Sequence, residues 1–394
     1  MLQNSNKKIQ FYIFFAMIWV FYSLNSRYFQ VPRADMVRWI VMALLIGMVM
    51  IQNDWKVSKP PLLVGAFVVA TIPSLPASID LTESIVKMIC FIVVVYGGYI
   101  YFASLESEEE FEIAMKIMMG VMIAFEIQSV LAIILGFGYG SGAGRATGIT
   151  TNANTLGGYS NLALLASYYW STRTRGIKKS VYIVLMGCSV WTCLLSGSRG
   201  GFAVMVLMIF FMLMFRIKNT LLKGIVLVAM VILVKIMFSG GLSFLGIEAL
   251  NRLAEEGGTG RGEIWEFGMN VWRQYPIFGC GYSVSNLHNT MEGMKGYDFH
   301  NSYITILAEI GVWGVSIFGI TAVCTFINAI PVLKYEIKNE SINLFLICCL
   351  MMITQLVAAY SESFLFAVGS TEACTFWMLF TWNMAYQQFK YYNG

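Results

Sequence analysis

Charge is scarce in this sequence: 12% of its 394 residues are Asp, Glu, Lys or Arg, about half the share of an ordinary soluble domain. A water-facing globule of this size is thereby excluded, since it would have too little polar surface to cover it. Histidine is scarcer, with only His288 and His300, and two separated imidazoles offer no metal-ligand cluster. No Asp-x-Asp pair stands at an outer helix end, so no metal site is expected. The eight cysteines lack paired spacing, and all except Cys280 sit in apolar runs, which argues for small apolar filler and against a disulfide framework. A net charge of +4 is too small to imply a nucleic-acid partner. Internal repeats and low-complexity segments are missing too.

What is present is apolar. Hydrophobic residues make up 58% of the chain, with 28 Phe, 25 Met and 10 Trp, and the mean hydropathy is +0.68. Apolar runs lie near 9–24, 37–52, 60–75, 84–105, 111–137, 154–170, 181–196, 200–215, 221–238, 302–332, 342–360 and 364–389. A spanning helix needs about 20 residues, so the pattern predicts an all-α polytopic integral membrane protein of about twelve transmembrane helices in a single membrane domain. The first run follows Lys7 and Lys8 as a signal peptide would, but no small-x-small cleavage site succeeds it, and it reads as a retained helix. With the amino terminus inside, fifteen basic side chains fall in inner segments and nine in outer ones, the densest inner run being 172–180. Both termini are therefore expected in the cytoplasm.

One connection stands apart. Residues 239–301, between the ninth and tenth spans, leave the membrane on the outer side and carry both histidines. A connection this long is usually functional or disordered, and Trp265, Trp272, Tyr275, Tyr282 and Phe299 argue for order. A short helix is predicted over 262–274, ended by Pro276, with Ile264, Trp265, Gly268, Val271 and Trp272 on one stripe.

In so apolar a chain the informative residues are charges at or near the bilayer, which cost about 2.5–3.5 kcal/mol at a helix centre. Arg199 stands in Ser196-Gly197-Ser198-Arg199-Gly200-Gly201, a tight turn that keeps its guanidinium near the outer interface. Arg261 follows Gly257-Gly258-Thr259-Gly260 at the start of the predicted loop helix, where small residues and the helix dipole favour an anion. The strand and Lys-Ser/Thr of a nucleotide-binding loop are absent there. Arg145, in Gly144-Arg145-Ala146-Thr147-Gly148, lies on the same outer side. Three guanidiniums on one face suit a diphosphate, with a bidentate geometry that lysine lacks; the plainer alternative is arginines snorkelling to headgroups. His300, ahead of Asn301-Ser302-Tyr303 and an apolar helix, sets an imidazole at the outer surface, able to take a proton from a sugar hydroxyl or simply to hydrogen-bond at the interface. Glu309, two turns into that helix, needs a partner, for which Arg199 or a bound hydroxyl would serve. Asp298 is a further candidate proton acceptor. His288 reads as loop, and the acidic run from Glu106 to Glu112 as a solvated face. Glu126, in mid-span, is the main unusual charge away from the outer side.

Arg145-x-x-Gly148 leading to Asn152 and Asn154, the Ser196-to-Gly201 turn, Gly260-Arg261 with Ile264-Trp265, Pro276-x-x-Gly279-x-Gly281, and His300-Asn301-Ser302-Tyr303 running on to Glu309 and Gly311 occur in this order. Together they resemble the O-antigen ligase and polymerase superfamily, over roughly residues 140–315 by motif. The resemblance implies a GT-C-like membrane glycosyltransferase, metal-independent and without cofactor. Its donor and acceptor would be undecaprenyl diphosphate-linked saccharides at the outer face of a bacterial cytoplasmic membrane, with membrane lipid, a chain-length regulator and a flippase as partners. It implies that Arg199 and Arg261 hold the lipid diphosphate, with Arg145 at a less settled position, and that His300 serves the acceptor. Direct displacement would invert the anomeric centre. A polymerase of O-antigen, capsule or exopolysaccharide repeat units is the expectation, with a ligase moving polymer onto lipid A core left open in the same fold. A transporter or flippase is the third reading, and it would place its charges near the bilayer middle.

Overall fold

The apolar runs become helices. The computed structural model describes residues 5–53, 62–140, 144–238, 261–289, 295–339, 342–367 and 369–393. Among them are thirteen α-helices: α1 Ser5–Ser23, α2 Ala34–Gln52, α3 Leu62–Thr71, α4 Leu81–Ala103, α5 Glu108–Ile134, α6 Ala153–Arg173, α7 Gly176–Leu195, α8 Arg199–Arg216, α9 Thr220–Phe238, α10 Arg261–Gln274, α11 Ser302–Asn339, α12 Leu344–Ala358 and α13 Thr371–Asn393. The β pairing among the described residues is two isolated bridges, Ser26 with Thr150 and Tyr139 with Ala146. Residues 239–260, the first part of the long connection with its 257–260 glycine stretch, lie outside the described residues.

Five of these helices, α2, α4, α5, α7 and α11, are long and apolar enough to cross a membrane; α8, α9 and α12 hold the shorter apolar stretches Arg199–Met214, Thr220–Ile232 and Leu344–Ala358. Large apolar side chains such as Ile40, Leu44, Ile183, Val184, Ile320 and Val323 point outward, as they do in a protein solvated by lipid. The chain is an integral membrane protein. The helices that hydropathy alone does not mark have their own reason. α6 is buried on nearly every side, so it need not be lipophilic and carries Ser160, Asn161 and Ser167 inside the bundle.

Two predicted spans differ in shape. The run at 60–75 gives only the ten-residue α3, followed by a 3-10 turn, Ile72–Ala77, because Pro73 and Pro76 cannot continue an α-helix. The run at 302–332 extends to Asn339 but breaks at Gly311, whose φ of 63° and ψ of −172° are not helical. α10 matches the predicted loop helix, and Ile264, Gly268 and Val271 of its stripe are buried.

Both termini lie at one end of the bundle. Lys7 donates to the Ser104 carbonyl at 2.6 Å and lies 3.5 Å from Glu110, and Lys390 donates to Glu108 at 2.6 Å. The acidic run is therefore not wholly a solvated face. Ser107 accepts from the Glu110 N–H at 3.3 Å, capping α5, and Glu110 is buried with its Oε2 accepting from the Glu106 N–H at 2.8 Å. Glu126, in the middle of α5, is also a satisfied structural group. It accepts from Thr192 Oγ1 at 2.5 Å and Ser160 Oγ at 3.2 Å, tying α5 to α7 and α6. Aromatic rings fill the core, Trp382 stacking on Tyr386 at 5.0 Å and Phe67 on Phe91 at 3.9 Å.

Candidate functional site

At the opposite end of the bundle two turns are knitted together. Asn301 caps α11, its Oδ1 accepting from the N–H groups of Tyr303 at 3.0 Å and Ile304 at 3.1 Å. Its own N–H donates to Ser363 Oγ at 2.9 Å. Ser302 Oγ donates to the Glu362 carbonyl at 2.7 Å and accepts from the N–H groups of Phe364 and Leu365 at 3.0 and 3.2 Å. The start of α11 and the α12–α13 connection are thus one unit, and His300 precedes it with a left-handed φ of 50°, a conformation held only where surroundings enforce it.

That unit sets His300 beside Glu362. His300 Nδ1 lies 3.5 Å from Glu362 Oε2, and Arg261 Nη2, from the first residue of α10, donates to Glu362 Oε1 at 2.9 Å. Asn154, at the start of α6, donates to the same oxygen at 2.8 Å and accepts from Arg145 Nη2 at 2.7 Å. Arg145 Nε in turn donates to the Ser196 carbonyl at 2.6 Å. Three of the expected site residues, Arg145, Arg261 and His300, are therefore drawn together around one carboxylate. Arg199 is the first residue of α8, after the N-cap Ser198, which accepts from the Gly201 N–H at 3.1 Å. A Cβ on Gly200 would meet Ser361, so this helix start abuts the Glu362 turn.

Glu309 is not in the cluster. It is 4% exposed, and its Oε1 accepts from Ser285 Oγ at 2.8 Å, so its partner is a serine hydroxyl rather than Arg199. It owes its place to the break in α11. The carbonyls of Ala308 and Glu309 accept from the N–H groups of Cys280 and Gly281 at 2.9 and 3.2 Å, and the N–H groups of Val312 and Trp313 donate to Pro276 and Ile277, both at 3.0 Å. The backbones touch where Gly279 (φ 81°) meets Glu309 and Gly311 meets Ile277, which is why glycines stand in both strings.

Two cavities adjoin here. One, of about 360 Å³, is lined by His300, Glu362, Asn154 and Ser198; the other, of about 420 Å³, by Asp80, Glu83, Lys87, Ser302 and Glu309. Asp298, Ser363, Ala367 and Ser370 line both. The Asp298 side chain reaches solvent, yet the protein mass around it pushes its carboxyl above the ordinary value of 3.8, against the pull of His300 and Lys87. His288 stands in the 3-10 turn Ser285–His288 against Tyr275 and lines neither cavity; burial pushes its imidazole below 6.5. Among the described residues no three of His, Cys, Asp and Glu cluster as a cation site.

The residue that sequence reading missed is Glu362. The alternation of spans that sets Arg145, Arg199 and His300 on one side sets Tyr360-Ser361-Glu362-Ser363 there as well, and a carboxylate between two apolar runs was the available signal.

Residues 182–319, from within α7 to within α11, match the O-antigen ligase family. The match holds Arg199, Arg261, His300 and Glu309, and excludes Arg145, Asn154 and Glu362. No curated protein matches the chain.

Proposed function

We propose, from the O-antigen ligase family domain that the chain carries over residues 182–319, that this protein is a membrane glycosyltransferase. In this reading it polymerises undecaprenyl diphosphate-linked repeat units at the outer face of a bacterial cytoplasmic membrane. The observation that carries the reading is the Glu362 carboxylate, which holds Arg261 and faces His300 while Asn154 joins it to Arg145. The two adjoining cavities supply separate places for a donor and an acceptor saccharide. The end of the bundle that holds both termini is assigned to the cytoplasm because the basic excess belongs to that side, and α10 is the one helix assigned outside a twelve-span bundle.

The chemistry follows. An acceptor hydroxyl attacks the anomeric carbon, the new C–O bond forms as the bond to the diphosphate breaks, and undecaprenyl diphosphate leaves from the opposite face, inverting the centre. Arg199, Arg261 and Arg145 meet the charge that builds on the leaving group, where one fixed donor is typically worth about 2.7–4 kcal/mol. With its Nδ1 proton directed at Glu362, His300 presents Nε2 to the hydroxyl as general base, worth about 10²–10⁴ in rate. Glu309 and Asp298, in the second cavity, are set to bind or deprotonate acceptor hydroxyls there.

The test is incubation of the purified full-length protein with lipid diphosphate-linked repeat units. Lengthened products are expected, with His300→Ala and Arg261→Ala each slowing them about a hundredfold or more. Wild-type rates in both variants would overturn the site. Products formed only when lipid A core is the acceptor would make the protein the ligase.

A further inference from the structure

The cavity that carries His300 and Glu362 continues between α6, α8 and α12, and two side-chain amides in its wall each have one atom without a partner. Asn161, on α6, is 3% exposed; its Nδ2 donates to the Gly201 carbonyl at 2.8 Å, but its Oδ1 has no partner. Gln355, on α12, is 6% exposed, and its Nε2 has no partner. Both line the cavity. Leaving a buried donor or acceptor unsatisfied costs about 1–3 kcal/mol, and the great majority of such groups in native proteins are bonded. One unmet acceptor and one unmet donor in a single cavity call for a ligand that does both.

We propose that this part of the cavity is a subsite for an uncharged saccharide ring, its hydroxyls donating to Asn161 Oδ1 and accepting from Gln355 Nε2. The inference rests on the glycosyltransferase reading and deepens it by naming the sugar class and the residues that select it. A hydroxyl is both donor and acceptor, and the wall around the two amides supplies more of the same chemistry in Tyr159, Thr354 and Ser198. The volume, about 360 Å³, falls in the small-molecule range of roughly 300–1,000 Å³. An anion does not suit it. Asp298, Glu362 and Glu372 line the cavity, no lysine or arginine is among its described lining residues, and Asn161 offers an anion a lone pair. A cation would face the Gln355 N–H groups. A lipid tail would leave both amides unsatisfied. The diphosphate thus belongs at the arginines on the rim, and the sugar it carries belongs between the helices.

The experiment measures binding to the full-length protein in lipid nanodiscs. The probes are farnesyl diphosphate and the same lipid carrying glucose, N-acetylglucosamine or glucuronic acid. At least one uncharged sugar is expected to tighten binding about tenfold over the bare lipid, and glucuronic acid to weaken it. Gln355→Met, which removes the amide at nearly constant side-chain length, and Asn161→Leu are each expected to cut the sugar-dependent gain about three- to tenfold. Neither is expected to change affinity for bare farnesyl diphosphate, which also reports that the variants are folded. Sugar affinities unchanged in both variants, glucuronic acid as the tightest probe, or variants that lose the bare lipid equally would each overturn the subsite. If the wild type binds bare lipid and no sugar adds to it, the subsite alone fails. If the wild type binds no probe at all, the lipid-diphosphate reading fails and takes the subsite with it.

Discussion

Glu362→Gln probes the cluster with the least change of shape. The carboxylate accepts from Arg261 at 2.9 Å and Asn154 at 2.8 Å through Oε1, and turns Oε2 to His300 Nδ1 at 3.5 Å. A glutamine keeps one oxygen for the first two donors and puts an NH₂ group opposite the imidazole, so two donors meet. His300 must then rotate or move its proton to Nε2, and either change removes the base from the proposed reaction. Arg261 and Glu362 are 24% and 27% exposed. Their charge-assisted bond, about 1.5–3 kcal/mol in a shielded setting, is accordingly discounted to about 1–2 kcal/mol for solvent screening. We expect Glu362→Gln to lower unfolding stability by about that amount. Turnover should fall about ten- to a thousandfold, below the roughly 10⁴ loss when the orienting Asp of a Ser-His-Asp triad becomes Asn, because His300 is partly open to water. The assay is steady-state lengthening of a fluorescent lipid diphosphate-linked repeat unit, run beside thermal unfolding of the same preparation. Turnover at the wild-type rate, or a loss no larger than the fall in folded fraction, would refute the orienting role.

Two further outcomes are expected. Gly279→Ala should abolish folded protein on size-exclusion chromatography, since its Cβ would enter the Glu309 backbone at a φ of 81°, whereas Gly120→Ala, in open space on α5, should be neutral or stabilise by up to about 1 kcal/mol; equal behaviour of the two contradicts the docking of 276–281 into the α11 break. Asp298 holds its proton more tightly folded than unfolded, so its contribution to stability falls as pH rises from the unfolded value of 3.8 through the raised folded one. Asp298→Asn should therefore raise the melting temperature at pH 7 and lose that advantage by about pH 4, and a shift of the same size at both pH values would tell against it.

Most of the helical layout was legible because lipid imposes one rule, that apolar runs must close their own hydrogen bonds as helices. Where the rule is relaxed, the reading weakened. α3 stops at two prolines inside an apolar run, and α11 breaks at a glycine because a neighbouring loop replaces its missing hydrogen bonds, something that only the fold reveals. The acidic run looked solvated because nothing local shows that Lys7 and Lys390, near the two chain ends, return to meet it. Arg145, Arg261 and His300 could be singled out by charge and side alone. Glu309 could be recognised as buried, but Ser285, its actual partner, is 24 residues earlier and reaches it through the α11 break.

The family match covers only part of the candidate site. Arg199, Arg261 and His300 lie within residues 182–319, yet Glu362 and Asn154, which hold two of them in register, come from α12–α13 and α6. An arginine paired with a carboxylate costs little to keep in a fixed rotamer, which a preorganised anion site requires. Set against Glu362 alone, Arg145, Arg199 and Arg261 carry a surplus of two positive charges, while Asp298 and Glu372 also line the adjoining cavity. In the proposed reaction the arginines would offset part of the charge of a bound diphosphate, with Glu362 holding Arg261 in place. The charge that grows on the leaving group in that reaction would be met by groups already in place. Removing Glu362 would therefore impair turnover more than binding of the bare lipid, because what it supplies is orientation and not attraction.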